Sequence, residues 1–159
     1  MALPDSKMTE TSTAKLDYPY TVDKIPDWQT GDPENALKAL KALKAYEMGN
    51  MEESANYFGD SVRFLADKFE SHLSNDSLKA MFLKDKTAGN SVTIKMEDWE
   101  SVKSKDGTDQ WVSMWYKEIM TDKAGKIDSV EVMDDAKFEN GKITILDEKT
   151  RHYAVDKKM

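Results

Sequence analysis

Chemistry in this chain starts from one carboxyl group in an apolar row. Side chains alternate along an extended strand, so Val130, Val132, Asp134, Ala136 and Phe138 share one face of their segment. Ser129, Glu131, Asp135 and Lys137 point the other way. Asp134 is thus an acid among apolar neighbours, and removal from water disfavours its ionised form unless a cation joins it. A protonated carboxyl in a pocket can donate a hydrogen bond to a carbonyl oxygen or act as a general acid. Two arrangements would leave it an ordinary carboxylate: strand twist that exposes it, or a Lys or Arg brought beside it.

Other titratable groups are less well placed. Asp98 follows Val92, Ile94 and Met96 on the same alternation, nearer a strand end. Asp67 and His72 are close enough in sequence to form an acid–histidine pair. The only other histidine is His152, near the end of the chain. Two histidines without cysteine make a poor zinc set, and no carboxylate stands at helical ligand spacing from either. The Asp106-Gly107 and Asp122–Gly125 turns lack the spacing and terminal Glu of a calcium loop. No phosphate loop, dinucleotide fingerprint or nucleophile motif occurs. Neither metal nor cofactor is therefore expected. Apolar contacts to a small organic ligand would come from Tyr46, Met96, Trp115 and Val132. Methionine suits irregular apolar surfaces, and it also fills gaps in ordinary cores.

Charge narrows the partners. The chain has 23 Lys and Arg against 30 Asp and Glu, a net charge of −7. Nothing concentrates positive charge to meet nucleic-acid phosphate. With no cysteine, disulfides, thiol nucleophiles and cysteine-ligated clusters are excluded. The apolar runs are too short for a membrane-spanning helix. Residues 1–15 hold no apolar stretch of signal-peptide type, and the compartment stays open between the cytoplasm and an exported location.

The elements that must position these groups follow from pattern. Residues 1–17 are polar and predict a disordered tail. Residues 18–31, with Tyr18, Tyr20, Ile25 and Trp28 between prolines, predict an extended arm packed on the domain. A single domain covers residues 32–159. Asp32-Pro33-Glu34 starts a helix whose Leu37, Leu40 and Leu43 recur at helical spacing and which Gly49-Asn50 ends. A short second helix is expected over Met51–Phe58, strand character over Ser61–Leu65, and a loop over Phe69–Ser74. A third helix carries Leu78, Met81 and Phe82 and ends at Ala88-Gly89-Asn90. From Ser91 the period becomes two: strands at Ser91–Val102, Asp109–Thr121, Ile127–Glu139 and Lys142–Tyr153, with Asn140-Gly141 as a hairpin turn. Helices followed by a meander of about four long strands predict an α+β fold with helices on one sheet face. Trp111, Trp115 and Ile119 share one face of the second long strand and Val112, Met114 and Tyr116 the other. A strand apolar on both faces predicts a partner surface, assigned to Trp111, Met114, Trp115 and Tyr116. Cover by the arm is the alternative.

Three segments resemble a known family. Ala42-Leu43-Lys44-Ala45-Tyr46-Glu47-Met48-Gly49-Asn50-Met51-Glu52 is similar to the first-helix signature of NTF2-like, SnoaL-like proteins. Ala55-Asn56-Tyr57-Phe58-Gly59-Asp60-Ser61-Val62-Arg63-Phe64 and Lys137-Phe138-Glu139-Asn140-Gly141-Lys142-Ile143 resemble two further segments of that family, in order, over about residues 30–153. The resemblance implies a cystatin-like cone, a curved sheet around three helices with a pocket at the open end. It implies a homodimer through the exposed sheet face, and it sets the Phe69–Ser74 loop with His72 at the pocket rim. The family spans isomerases, epoxide hydrolases, cyclases, dehydratases and non-catalytic modules, so it does not name a reaction. Matched by position, the isomerases' helix tyrosine falls on Ala42, their general base on Ala66 and their hydrogen-bond-donating acid on Asp134. Two of those three residues cannot do acid or base work. The reading is therefore a module binding a small, mainly apolar molecule. A lyase, isomerase or hydrolase using Asp134 with Asp67, Asp98 or His72 is the first alternative, and an assembly module the second.

Overall fold

In the computed structural model, residues 16–23, 27–87 and 89–153 are described. The expected tail lies largely outside them, as do Ile25, Pro26 and Ala88 of the expected arm and third helix. The arm meets the domain through β1, Gln29–Thr30, whereas Tyr18 and Tyr20 stand exposed. Gly31 follows because the chain crosses a neighbouring strand there: a Cβ would meet the Val102 backbone nitrogen at 2.7 Å.

Asp32 then turns the extended backbone into α1, Pro33–Glu47. Its carboxylate accepts the Glu34 N–H at 2.9 Å, and Pro33 sits where a missing N–H costs nothing. The buried stripe of α1 differs from the leucine row. Ala36, Ala39, Ala42 and Ala45 are buried, Leu40 and Leu43 are half-buried, and Leu37 is 47% exposed. Three-residue spacing aligns the alanines on one face of the helix, and Ala39 and Ala42 of that face border a cavity. α2, Met51–Ala55, starts where the Asn50 side chain accepts the Glu53 N–H. It stops before Phe58, which opens β2, Phe58–Ala66. Ser54 ties α2 to α1 by donating to the Ala42 carbonyl at 2.9 Å.

The segment expected as a loop is a strand. β3, Phe69–Ser74, pairs with β2 through the turn at Asp67-Lys68. It then leads into α3, Asn75–Thr87, which buries Leu78 and Phe82. The four long strands follow as β4 (Ser91–Lys103), β5 (Gln110–Thr121), β6 (Ile127–Glu139) and β7 (Lys142–His152). Asn140 at φ 50° and Gly141 at φ 73° supply the paired left-handed conformations of a two-residue hairpin turn. Among the described residues the sheet therefore has seven strands, not about four, in the order β1-β4-β5-β6-β7-β2-β3. β2 joins β7 in parallel, and β1 adds to the β4 edge.

Two irregularities decide which side chains face the helices. In β4 the register runs from Met96 opposite Tyr116 to Asp98 opposite Trp115, so Glu97 is an extra residue. Such a bulge reverses the alternation beyond it. In β7 the pairing passes from Ile143 to Ile145 while β6 advances by one residue, so Thr144 is extra. The core lies between α1, α2, α3 and one sheet face, around Tyr116, Phe138, Val112, Val62 and Ile143.

Candidate functional site

Asp134 lies mid-way along β6 on the helix-facing side, with Met114 of β5 and Glu148 of β7 directly across. Residues so paired stand about 5 Å apart at Cβ. One step along β5, Tyr116 reaches back, and its hydroxyl donates to Asp134 Oδ2 at 2.8 Å. Tyr116 is 1% exposed and Asp134 3%. Among the described residues, Asp134 Oδ1 has no hydrogen-bond partner. Burial pushes the Asp134 carboxyl well above the usual carboxylate range. The negative Glu148 pushes the same way, the Tyr116 hydrogen bond opposes, and Glu118 and Asp135 add to the rise. Burial, then Asp134, likewise raise the Tyr116 phenol. With Tyr116 donating to Oδ2, a proton on the carboxyl would sit on Oδ1 and make that oxygen a donor.

These groups line a cavity of about 620 Å³, within the usual range for small-molecule sites. Its sheet side includes Met114, Tyr116, Glu118, Asp134 and Glu148, and its helix side includes Ala42, Tyr46, Glu47, Met51 and Phe82. Aromatic rings wall it edge to face, Tyr46 against Phe82 at 5.5 Å and Phe64 against Phe69 at 5.8 Å between centroids. Glu47 accepts the Ile94 N–H at 3.0 Å and pairs with Lys44 at 2.7 Å. Burial works against its charge, yet Ile94 and Lys44 outweigh that and lower its pKa. Among the described residues, no three His, Asp or Glu side chains are grouped to hold a metal ion.

Of the residues singled out from sequence, the cavity brings together Asp134 and Tyr46. Val132 is buried in the core and Met96 packs against it, both outside the lining. Asp98 is exposed, since the bulge at Glu97 turns it to the Trp115 side, where it accepts the Trp99 N–H at 2.9 Å. Asp67 is exposed at the β2–β3 turn and lines an adjoining depression with Lys68, Asp147 and Lys149, which shares Ala66, Phe69 and Glu148 with the cavity. His72 is exposed on β3 opposite Arg63. Trp115 is half-buried on the far face of the sheet. The docking surface needs correction. Met114 and Tyr116 are buried on the cavity side, which leaves Trp111 and Trp115 on the outer one. Ala42 and Ala66, matched to the isomerases' tyrosine and base, both line the cavity with Asp134. Three lining residues escaped the sequence reading: Tyr116 as a partner of Asp134, Glu118 and Glu148. The first and second continue the Met114 row by simple alternation. Glu148 is masked by the Thr144 bulge, which shifts the parity of β7.

No family model and no curated protein matches this sequence. Solved structures do match in shape. An LEH-like epoxide hydrolase from M. tuberculosis superposes with a TM-score of 0.62 at 12% identity, over 75% of this chain and 84% of that one. An NTF2-like protein of unknown function from Burkholderia pseudomallei gives 0.57 at 10% identity, over 76% and 91%. A ketosteroid isomerase-like protein from Erwinia carotovora atroseptica gives 0.57 at 11% identity, over 76% and 96%. The chain has the NTF2-like, cystatin-type fold.

Proposed function

We propose that this NTF2-like cone binds a small, mainly apolar organic molecule and that Asp134, in its neutral form, donates a hydrogen bond to an oxygen of that molecule. One observation carries the reading: a buried acid in a cavity wall has Tyr116 on one oxygen and, among the described residues, no partner on the other. A buried donor without an acceptor is costly, and a ligand oxygen would relieve that cost. The aromatic and methionine walls supply the apolar contact. The test is fluorescence titration with 6-propionyl-2-dimethylaminonaphthalene, a neutral ketone whose emission reports polarity and hydrogen bonding. Wild type binds it. Asp134→Asn keeps a neutral donor and keeps affinity, whereas Asp134→Leu weakens binding about fivefold to tenfold, as expected for one lost hydrogen bond. Equal affinity of the Leu variant would sink the assignment of Asp134.

A second reading rests on Glu148 directly across from Asp134. A neutral acid beside a second carboxyl is an acid–base pair in waiting, suited to a lyase, isomerase or hydrolase. Turnover that Asp134→Asn and Glu148→Gln each abolish, with binding retained, would favour it over plain binding. We also propose that a second copy of the chain covers the outer face at Trp111 and Trp115. Trp115→Glu should then lower the sedimentation mass from dimer to monomer.

A further inference from the structure

We infer that Phe69 is the end stop of the ligand site and sets how long a molecule the cavity accepts. The inference rests on the ligand-binding reading above and adds the dimension along which that site selects. It comes from strand register. Asp134 on β6 lies opposite Glu148 on β7. β2 runs parallel to β7 with Leu65 beside Asp147, which sets Ala66 beside Glu148. Ala66 in turn lies opposite Phe69 on β3. All four residues line the cavity, so they form one row across its floor. The row crosses three strand spacings, about 14 Å from Asp134 to Phe69. A ligand whose oxygen meets Asp134 can lie along it.

Side-chain size decides where that path stops. Ala66 presents only a methyl group, so the third position of the row is low. Phe69 stands next, on the strand that forms the sheet edge among the described residues. Its ring meets Phe64 edge to face at 5.8 Å between centroids, which braces it across the end of the row. Open space lies beyond it: the adjoining depression, about 520 Å³, borders the same Ala66, Phe69 and Glu148. Phe69 is accordingly 45% exposed, with the cavity on one side and solvent on the other. Of the three shared residues, Phe69 alone is large and apolar, so its ring is what divides the two spaces. The ligand class that fits is an elongated apolar molecule with an oxygen near one end.

Unbranched methyl ketones of increasing length, competing with the fluorescent ketone for the full chain, read this ruler directly. In wild type each added methylene should tighten binding by up to about fourfold until the chain reaches Phe69, and further ones should add nothing. Phe69→Ala should move that break to longer chains, so that the first ketone past the wild-type break binds the variant about fourfold more tightly than wild type. Ala66→Leu, which raises the floor before the stop, should move the break to shorter chains. Lys68→Ala, at the hairpin turn and outside the cavity lining, should leave it in place. Should Phe69→Ala fail to fold, Phe69→Leu should give a smaller shift in the same direction. A break that stays put in folded Phe69 and Ala66 variants overturns the inference, and so does wild-type affinity that keeps rising with length. In either case the ketones still bind and the binding reading stands. If no ketone of any length binds, that reading falls and takes the end stop with it.

Discussion

Asp134 and Asp135 are consecutive residues of one strand, and the sheet sends them to opposite fates. Asp135 faces outward, where Ser113 donates to it at 2.5 Å and Lys149 pairs with it at 2.9 Å. Water reaches that face: the Lys149 side chain is 52% exposed and bridges on to Asp147. Asp134 faces the cavity, where among the described residues its hydrogen bond comes from a phenol and the charges that act on it are acids. The same side chain is thus a solvated ion on one face and a desolvated acid on the other. The difference owes nothing to residue type. It comes from which face has helices over it, and so from which side of the sheet lacks water to stabilise charge.

The contrast can be broken first at the aromatic neighbours. Tyr116→Ala empties a fully buried position and removes the donor to Asp134. It should cost about 3–5 kcal/mol in urea unfolding, the range for large-to-small core changes. Trp115→Ala, one residue away on the half-buried face, should cost clearly less in the isolated chain. Equal costs would mean that the outer face is as closed as the inner one.

The second test is pH. The folded pKa of Asp134 is raised, so between the unfolded value of about 3.9 and the folded value the native state binds more protons. Its contribution is fully present below the unfolded pKa and is lost as pH climbs through the folded one. Asp134→Asn should remove that slope. Relative to wild type, its thermal midpoint should gain a few degrees between pH 4 and pH 9. Asp135→Asn should keep most of the slope, because Asp135 is the last and smallest of the named contributions to the rise. A wild-type stability profile flat over that interval would contradict the desolvated state of Asp134.

The smallest effect belongs to the exposed pair. Lys149→Ala should change stability by no more than about 0.5–1 kcal/mol, and the change should shrink in high salt. A larger, salt-insensitive loss would show that a covering partner desolvates the outer face.

Much of the frame is legible in the sequence. β6 begins and ends at the residues its alternation predicts, Ile127 and Glu139, and Asn140-Gly141 turns as its composition requires. These are local signals: period-two burial, and residues that tolerate left-handed backbone. β3 was not legible because it is an edge strand with a largely exposed polar sequence, so no alternation marked it. Asp98 was misassigned because a single extra residue, Glu97, reverses every side chain after it. Glu148 stayed hidden for the same reason in β7. On α1 the buried stripe is Ala36, Ala39, Ala42 and Ala45, with Leu37 exposed, a choice that hydrophobic spacing alone does not make.

By itself, then, the sequence determined the meander, the start of α1, the acidic balance and an acid in an apolar row. All of these depend on neighbours a few positions apart. Tertiary structure decided that Tyr116 donates to that acid, that Glu148 lies across from it, and that alanines leave space in front of it. Those outcomes depend on strand register, two bulges and helix approach, which join residues far apart in the chain and are set by how the whole sheet packs.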